Sequence, residues 1–237
     1  PLATTTTVST PSWRWWLEGR LPKGELLDAA PRSLRRDAVA NRSKIIAAAR
    51  AAVDAHGLDV SMEAIAQMAG VGIGTLYRNF STKQDLLDVI VAEAALAVRD
   101  AAIVARDIVA PSGAVAAFIL GIGEVHADHP RSLKELWRHA DPAILDEVQA
   151  LGRSVLDRAR SAGAVRDDLV YEDILVAIWS LRGVIETTYD VAPSTWRRHG
   201  ELLVQAMAPG GPPLTNVPLT TTGATAVRSR GTRRNDR

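Results

Sequence analysis

Apolar residues recur three and four positions apart along most of the chain, which is the period of a helix with one buried face. Ile45, Ala49, Ala52, Val53 and His56 mark such a face, and Gly57 supplies a stop. A second, short helix opens at Ser61, which can cap it, carries Glu63 in its first turn and turns Ile65, Ala66 and Ala69 inward before Gly70 breaks it. A third runs from about residue 72 to residue 80. A fourth opens at Ser81 or Thr82, since each has a capping partner three residues on, Gln84 or Asp85. In the third helix Val71, Leu76 and Phe80 fall inward, whereas Ile73, Gly74, Tyr77 and Arg78 fall on the opposite side. Beyond residue 90 further amphipathic helices are punctuated by Pro111, Gly113, Pro130, Pro142, Gly163 and Pro193. No strand-like alternation of any length occurs, so the pattern predicts an all-α protein.

The 237 residues are 47% hydrophobic, enough for one large or two modest cores, and they contain no cysteine, which removes disulfides and thiolate metal sites. Four segments are expected: a flexible extension over 1–38, a helix-turn-helix domain over 39–90, a helical body over 91–207 and a disordered basic tail over 208–237. Charge separates them. Residues 1–44 carry 8 Lys and Arg against 4 Asp and Glu, residues 45–207 carry 15 against 22, and residues 208–237 carry 5 against 1. An acidic body does not attract a polyanion through its general field, so any nucleic-acid contact must use a local basic surface. Trp13, Trp15 and Trp16 interrupt the otherwise simple extension. The most apolar stretches, 114–123 and 86–98, are short or broken by Asp88 and Glu93, far from the roughly 20 apolar residues of a membrane span. The opening residues do not read as a secretory signal, and a soluble cytoplasmic protein is expected.

Two short helices joined by a glycine-containing turn, behind a longer helix, form the arrangement of a helix-turn-helix, whose second member enters the major groove. The residue types on its outward face suit that task. Gly74 lets the backbone approach phosphates, Thr75 and Tyr77 offer hydroxyls to phosphate oxygens, Arg78 has paired donors for a guanine edge, and Ile73 can touch a thymine methyl. Lys83, in the first turn of the next helix, opposes the positive end of the macrodipole; with free backbone N–H groups it makes a phosphate site. The run from Ser61 to Leu87, SMEAIAQMAGVGIGTLYRNFSTKQDLL, closely resembles the DNA-binding domain of the tetracycline-repressor (TetR) family of bacterial transcriptional regulators, over roughly residues 42–90. The resemblance implies phosphate contacts from Ser61, Thr75, Tyr77 and Lys83 and base or groove contacts from Ile73, Gly74 and Arg78. Two departures stand out: Gly72 replaces a capping serine common in the family, and Asn79 stands where histidine is common. Arg32, Arg35, Arg36 and Arg42, read as preceding the first helix, are either an arm that follows DNA or a solvated lead-in.

The body resembles the family's ligand-binding and dimerisation domain more weakly. Its segment 172–188 is apolar at Ile174, Leu175, Ala177, Ile178, Leu181, Val184 and Ile185, too broad a face for an isolated surface helix. With segment 194–207 it is expected to form half of an intermolecular four-helix bundle, as the resemblance implies. Candidate pocket residues for an unidentified small-molecule effector are Phe118, His126, Trp137, His139, Trp179, Arg182 and Tyr189. Arg182 needs an anion, either Glu186 one turn on or a ligand. Glu124, His126 and His129 raise the question of a metal, but the spacing is not that of a helical zinc pair and Pro130 ends the helix. Neither catalysis nor a cofactor is expected. The expected protein is a ligand-responsive repressor that binds a palindromic operator as a homodimer. The alternatives are a helical sensor without DNA binding and a metal-dependent bundle enzyme.

Overall fold

A computed structural model describes the backbone of residues 32–130 and 140–230, and the side chains of 38–130 and 140–227. Trp13, Trp15, Trp16, Trp137 and His139 lie outside the described residues. The described regular structure is all helix: α1 Arg32–His56, α2 Met62–Ala69, α3 Ile73–Asn79, α4 Lys83–Asp107, α5 Pro111–Ala127, α6 Pro142–Ser161, α7 Tyr171–Thr188, α8 Thr195–Ala206 and α9 Thr221–Arg230.

Chain contacts separate two units. The first comprises the chain up to Ala52 together with Val60–Ile90, and the second comprises Val53–Asp59 together with Val91 onward. In the first, Ile45, Ile46 and Ala49 of α1 are buried, as are Met62, Ile65 and Ala66 of α2, Leu76 of α3, Phe80, and Leu86, Leu87 and Ile90 of α4. Removing these side chains from water is the main force that holds together these four helices, of which α2 and α3 are too short to persist alone. The basic run 32–44 does not precede the first helix, as the sequence suggested, but forms its opening turns. His56 is exposed rather than inward, because the helix ends there and Gly57 turns the chain away with φ +77°. Val71 is only half-buried.

The second unit packs α5 against α6, α7 and α8, and α7 against α8, with Val98, Ala102 and Ala105 of α4 completing one core. Two glycines set how closely these helices approach. A Cβ added at Gly152 of α6 would fall 2.5 Å from both the Phe118 and Tyr171 rings, and one at Gly123 of α5 would fall 2.5 Å from Trp196. The rings thus occupy space that any larger residue would need.

The tail departs from the expected disorder. Residues 209–220 run without regular structure, yet Arg166 donates to Pro212 O at 2.6 Å and Asp168 accepts from Leu214 N–H at 2.8 Å. Helix α9 follows, with Ala224 buried and the Thr221 hydroxyl donating to Glu172 at 2.9 Å. Glu172 is buried at the start of α7 and also accepts from Arg153 at 2.9 Å.

Candidate DNA-binding surface

The surface is built by local signals that succeed one another from Ser61 to Asp85. The Ser61 hydroxyl accepts from Ala64 N–H at 3.1 Å and so opens α2, with Glu63 in the first turn. At the other end Gly70 takes the left-handed conformation, φ +64°, that only glycine adopts without strain. Its N–H reaches Gln67 O and that of Val71 reaches Ala66 O, each at 3.1 Å, which closes the helix and reverses the chain. Gly72 then stands at the cap of α3 with no side-chain hydrogen bond, the deficit expected from the missing serine.

Helix α3 has two faces. Leu76 and the following Phe80 are buried, one turn apart, and anchor it. On the other side Ile73 is 40% and Tyr77 46% exposed, Gly74 and Arg78 are exposed, and a Cβ built on Gly74 meets nothing within 4 Å. Two large apolar or aromatic side chains held in water beside a bare backbone position need an external partner to be covered. Arg78 Nη2 donates to Thr75 Oγ1 at 3.1 Å, so the guanidinium is steadied by its own helix while the residue stays exposed. Thr75 is half-buried.

Helix α4 begins in the Thr82 register rather than that of Ser81. Thr82 N–H donates to Asp85 at 2.9 Å and Asp85 N–H donates to the Thr82 hydroxyl at 3.1 Å, a reciprocal capping box. Lys83, half-buried, is the first residue inside this helix. Asp85 in the same turn offsets part of the unfavourable meeting of lysine and macrodipole, so the cation stands at a helix start that tolerates it. Ser61, Ile73, Gly74, Thr75, Tyr77, Arg78 and Lys83 therefore all lie on one compact unit, at the start of α2, along α3 and at the start of α4.

Sequence reasoning misplaced Arg42. It points to the interior side of α1, where Nη1 donates to Asn79 O at 3.0 Å and the guanidinium lies 4.2 Å from the Phe80 ring centroid. The signal was present: Arg42 lies three and four residues before the buried Ile45 and Ile46 and so shares their face.

Among the described residues, the pocket candidates of the second unit differ in burial. Phe118 is core, seated on Gly152. His126 is 4% exposed, and its imidazole is pushed down to a pKa of about 3, first by burial and then by the charges of Arg182 and His129. Trp179, Arg182 and Tyr189 are half-buried, and Arg182 Nε lies 3.5 Å from Glu186. A cavity of about 380 Å³ lies between the turn at 163–168 and residues 209–213. The residues that raised the question of a metal have separate partners: Glu124 accepts from Arg197 at 2.9 and 2.6 Å, and His129 Nδ1 faces Asp54 at 3.6 Å.

Comparison with known proteins addresses the same unit. Residues 45–90 match the family model described as bacterial regulatory proteins, tetR family. An HTH-type transcriptional regulator of Staphylococcus aureus, SAB2452, is 44% identical over 54 residues, which spans 22% of this chain and 29% of that relative. The chain thus spans under a third of the length of the curated relatives it matches. Among solved structures, the TetR transcriptional regulator SCO0520 of Streptomyces coelicolor is 24% identical with a TM-score of 0.54, covering 72% of this chain and 99% of its own. The TetR family regulator PfmR of Thermus thermophilus is 19% identical with a TM-score of 0.58, covering 69% and 98%. At these identities the likeness is one of fold. It extends the shared architecture well beyond the helix-turn-helix.

Proposed function

We propose, from the match of residues 45–90 to the family model of bacterial regulatory proteins, tetR family, that the chain is a regulator of that family, a transcriptional repressor that binds a palindromic operator as a homodimer and is released by a small-molecule effector. The observation that carries this reading is the outward row Ile73, Gly74, Tyr77 and Arg78 on a helix pinned from behind by Leu76 and Phe80. In the major groove Arg78 addresses a guanine edge, Ile73 meets a thymine methyl, and Gly74 admits the phosphate backbone. Thr75, Tyr77, Lys83 and the Ser61 hydroxyl, whose proton remains available when its oxygen caps α2, hold phosphates and set the register.

Dimerisation is assigned to α7 and α8. Val176 is 45% and Leu202 55% exposed, Trp179 is half-buried, and Gly183 leaves open space above its backbone. Val176, Trp179 and Gly183 follow one another at helical spacing, so one face of α7 offers a row for a second copy. The effector acts within the second unit, with Phe118, His126, Trp179, Arg182 and Tyr189 as candidate contacts. Its leverage is the difference between its affinities for the DNA-competent and incompetent states. The site of action is the cytoplasm, where the operator is; among the described residues no helix is long and apolar enough to cross a membrane.

Fluorescence-anisotropy titration of a duplex from the promoter nearest its own gene, at several salt concentrations, tests the reading. Arg78→Ala is expected to cost about 1–3 kcal/mol and relax preference at one base position, whereas Lys83→Ala weakens all duplexes alike and lowers the salt slope by about one. A sensor without DNA binding gives a flat titration, and an Arg78 variant that keeps wild-type base preference overturns the assignment.

A further inference from the structure

Helix α3 has seven residues, below the length at which a helix persists by itself, and its C-terminal end lacks the usual closing device. Phe80 leaves it in extended backbone, φ −140° and ψ 107°, rather than through a left-handed residue. Side chains brace the last turn instead. Asn79 Nδ2 donates to Thr75 O at 2.8 Å, and Arg42, 37 residues earlier on α1, donates to Asn79 O at 3.0 Å. The Arg42 guanidinium also covers the Phe80 ring, 4.2 Å from its centroid. A planar cation thus does three things at once: it satisfies a terminal carbonyl, opposes the negative end of the helix dipole and stacks on the residue that anchors the next turn. Lysine can supply the charge and a hydrogen bond but not the plane.

We propose that Arg42 is a positioning residue for DNA recognition, fixing the C-terminal end of α3 against α1 and thereby the angle at which Ile73, Gly74 and Arg78 meet the groove. The proposal rests on the DNA-binding reading of α3. Asn79 and Phe80 directly follow Arg78, so a shift at this pivot moves the guanidinium that reads the base edge. Tight tolerance is inherent to such contacts, because a paired hydrogen bond to a base is lost with small displacements. This role differs from that of a phosphate-binding arm, which adds affinity without regard to sequence.

The experiment compares the full-length wild type with Arg42→Ala and Arg42→Lys by two readouts. The first is amide hydrogen exchange; the second is binding, across a salt series, to the best duplex that the wild type selects from a randomised pool and to an unrelated duplex. In Arg42→Ala the amides of Leu76 to Phe80 should exchange at least about tenfold faster while those of Ile65 and Ala66 hold. Preference for the selected duplex should fall about tenfold with the salt slope unchanged. Arg42→Lys should fall between wild type and Arg42→Ala in both readouts. Should Arg42→Ala not fold, Arg42→Lys carries the test, and wild-type exchange together with wild-type preference in it overturns the proposal. Unchanged exchange in Arg42→Ala, or equal weakening of both duplexes with a salt slope lower by about one, also overturns it. A wild type that prefers no duplex refutes the DNA-binding reading, and exchange still reports whether Arg42 holds α3.

Discussion

His126 shows how burial alone changes what a side chain can do. Ordinary histidine titrates near 6.5, but here loss of water, then the Arg182 guanidinium on α7 and the neighbouring His129, hold the ring neutral down to a pKa of about 3. His129 in turn faces Asp54. Between those two pH values the unfolded chain carries a proton that the folded chain refuses. The contribution of His126 is therefore complete above pH 6.5 and is lost progressively as pH falls toward 3. Most carboxylates take up protons only below about pH 5, so the range from 7.5 to 5 reports on the histidines, and a His126 variant separates this one from the other four. Over it the stability should drop by about 2 kcal/mol through this one group. Urea unfolding at a series of pH values checks it: His126→Gln should remove that part of the slope, and a variant with the wild-type slope would show that His126 is not its source. Charge at Arg182 is answered within its own helix by Glu186, which explains why a cation can stand on so apolar a segment.

Helix α3 places stability and function in opposition at Gly74. Nothing lies within 4 Å of a Cβ there and the backbone is ordinary helix, so Gly74→Ala should stabilise the protein by up to about 1 kcal/mol. The same methyl group should weaken duplex binding, because on the proposed reading it stands where the backbone approaches phosphate. Thermal unfolding and anisotropy on one preparation measure both; a variant that is more stable and binds as tightly as wild type removes Gly74 from the interface. The elements around Gly74 were legible in the chain because their signals are local: Ser61, Gly70 and the Thr82–Asp85 box each act within three or four residues. Helix α9 was not legible for the converse reason. TTGATAVRSR has little apolar periodicity, and its docking depends on Thr221 finding Glu172, preceded by contacts to Arg166 and Asp168 some 46 residues away. Arg42 was misread because its basic neighbours drew attention from its position on the buried face of α1.

One seven-residue recognition helix touches too few base pairs to select a site in a genome, so the proposed function requires two copies acting together. The second unit offers the means. Its core satisfies one side of α7 through Ile174, Ile178, Leu181 and Ile185, yet leaves Val176 and, on α8, Leu202 about half in water. Apolar groups left outside a completed core contribute only when another surface covers them, and a stable interface needs about 800 Å² from each partner. Gly183 favours close approach of two helices, since no side chain stands between its backbone and a neighbour. Placing glutamates at both exposed positions, Val176→Glu with Leu202→Glu, should therefore leave each chain folded, because neither side chain belongs to the core, while like charges meet across the twofold axis. Sedimentation velocity should show a dimer for wild type and a monomer for the double variant. Anisotropy should then show that the variant has lost its preference for the selected duplex although every groove-facing residue is intact. A double variant that remains dimeric excludes this face as the interface, and a monomer with wild-type duplex affinity excludes cooperation between half-sites. The second result forces specificity back onto a single helix of seven residues, which is why assembly and recognition have to be measured on the same molecules.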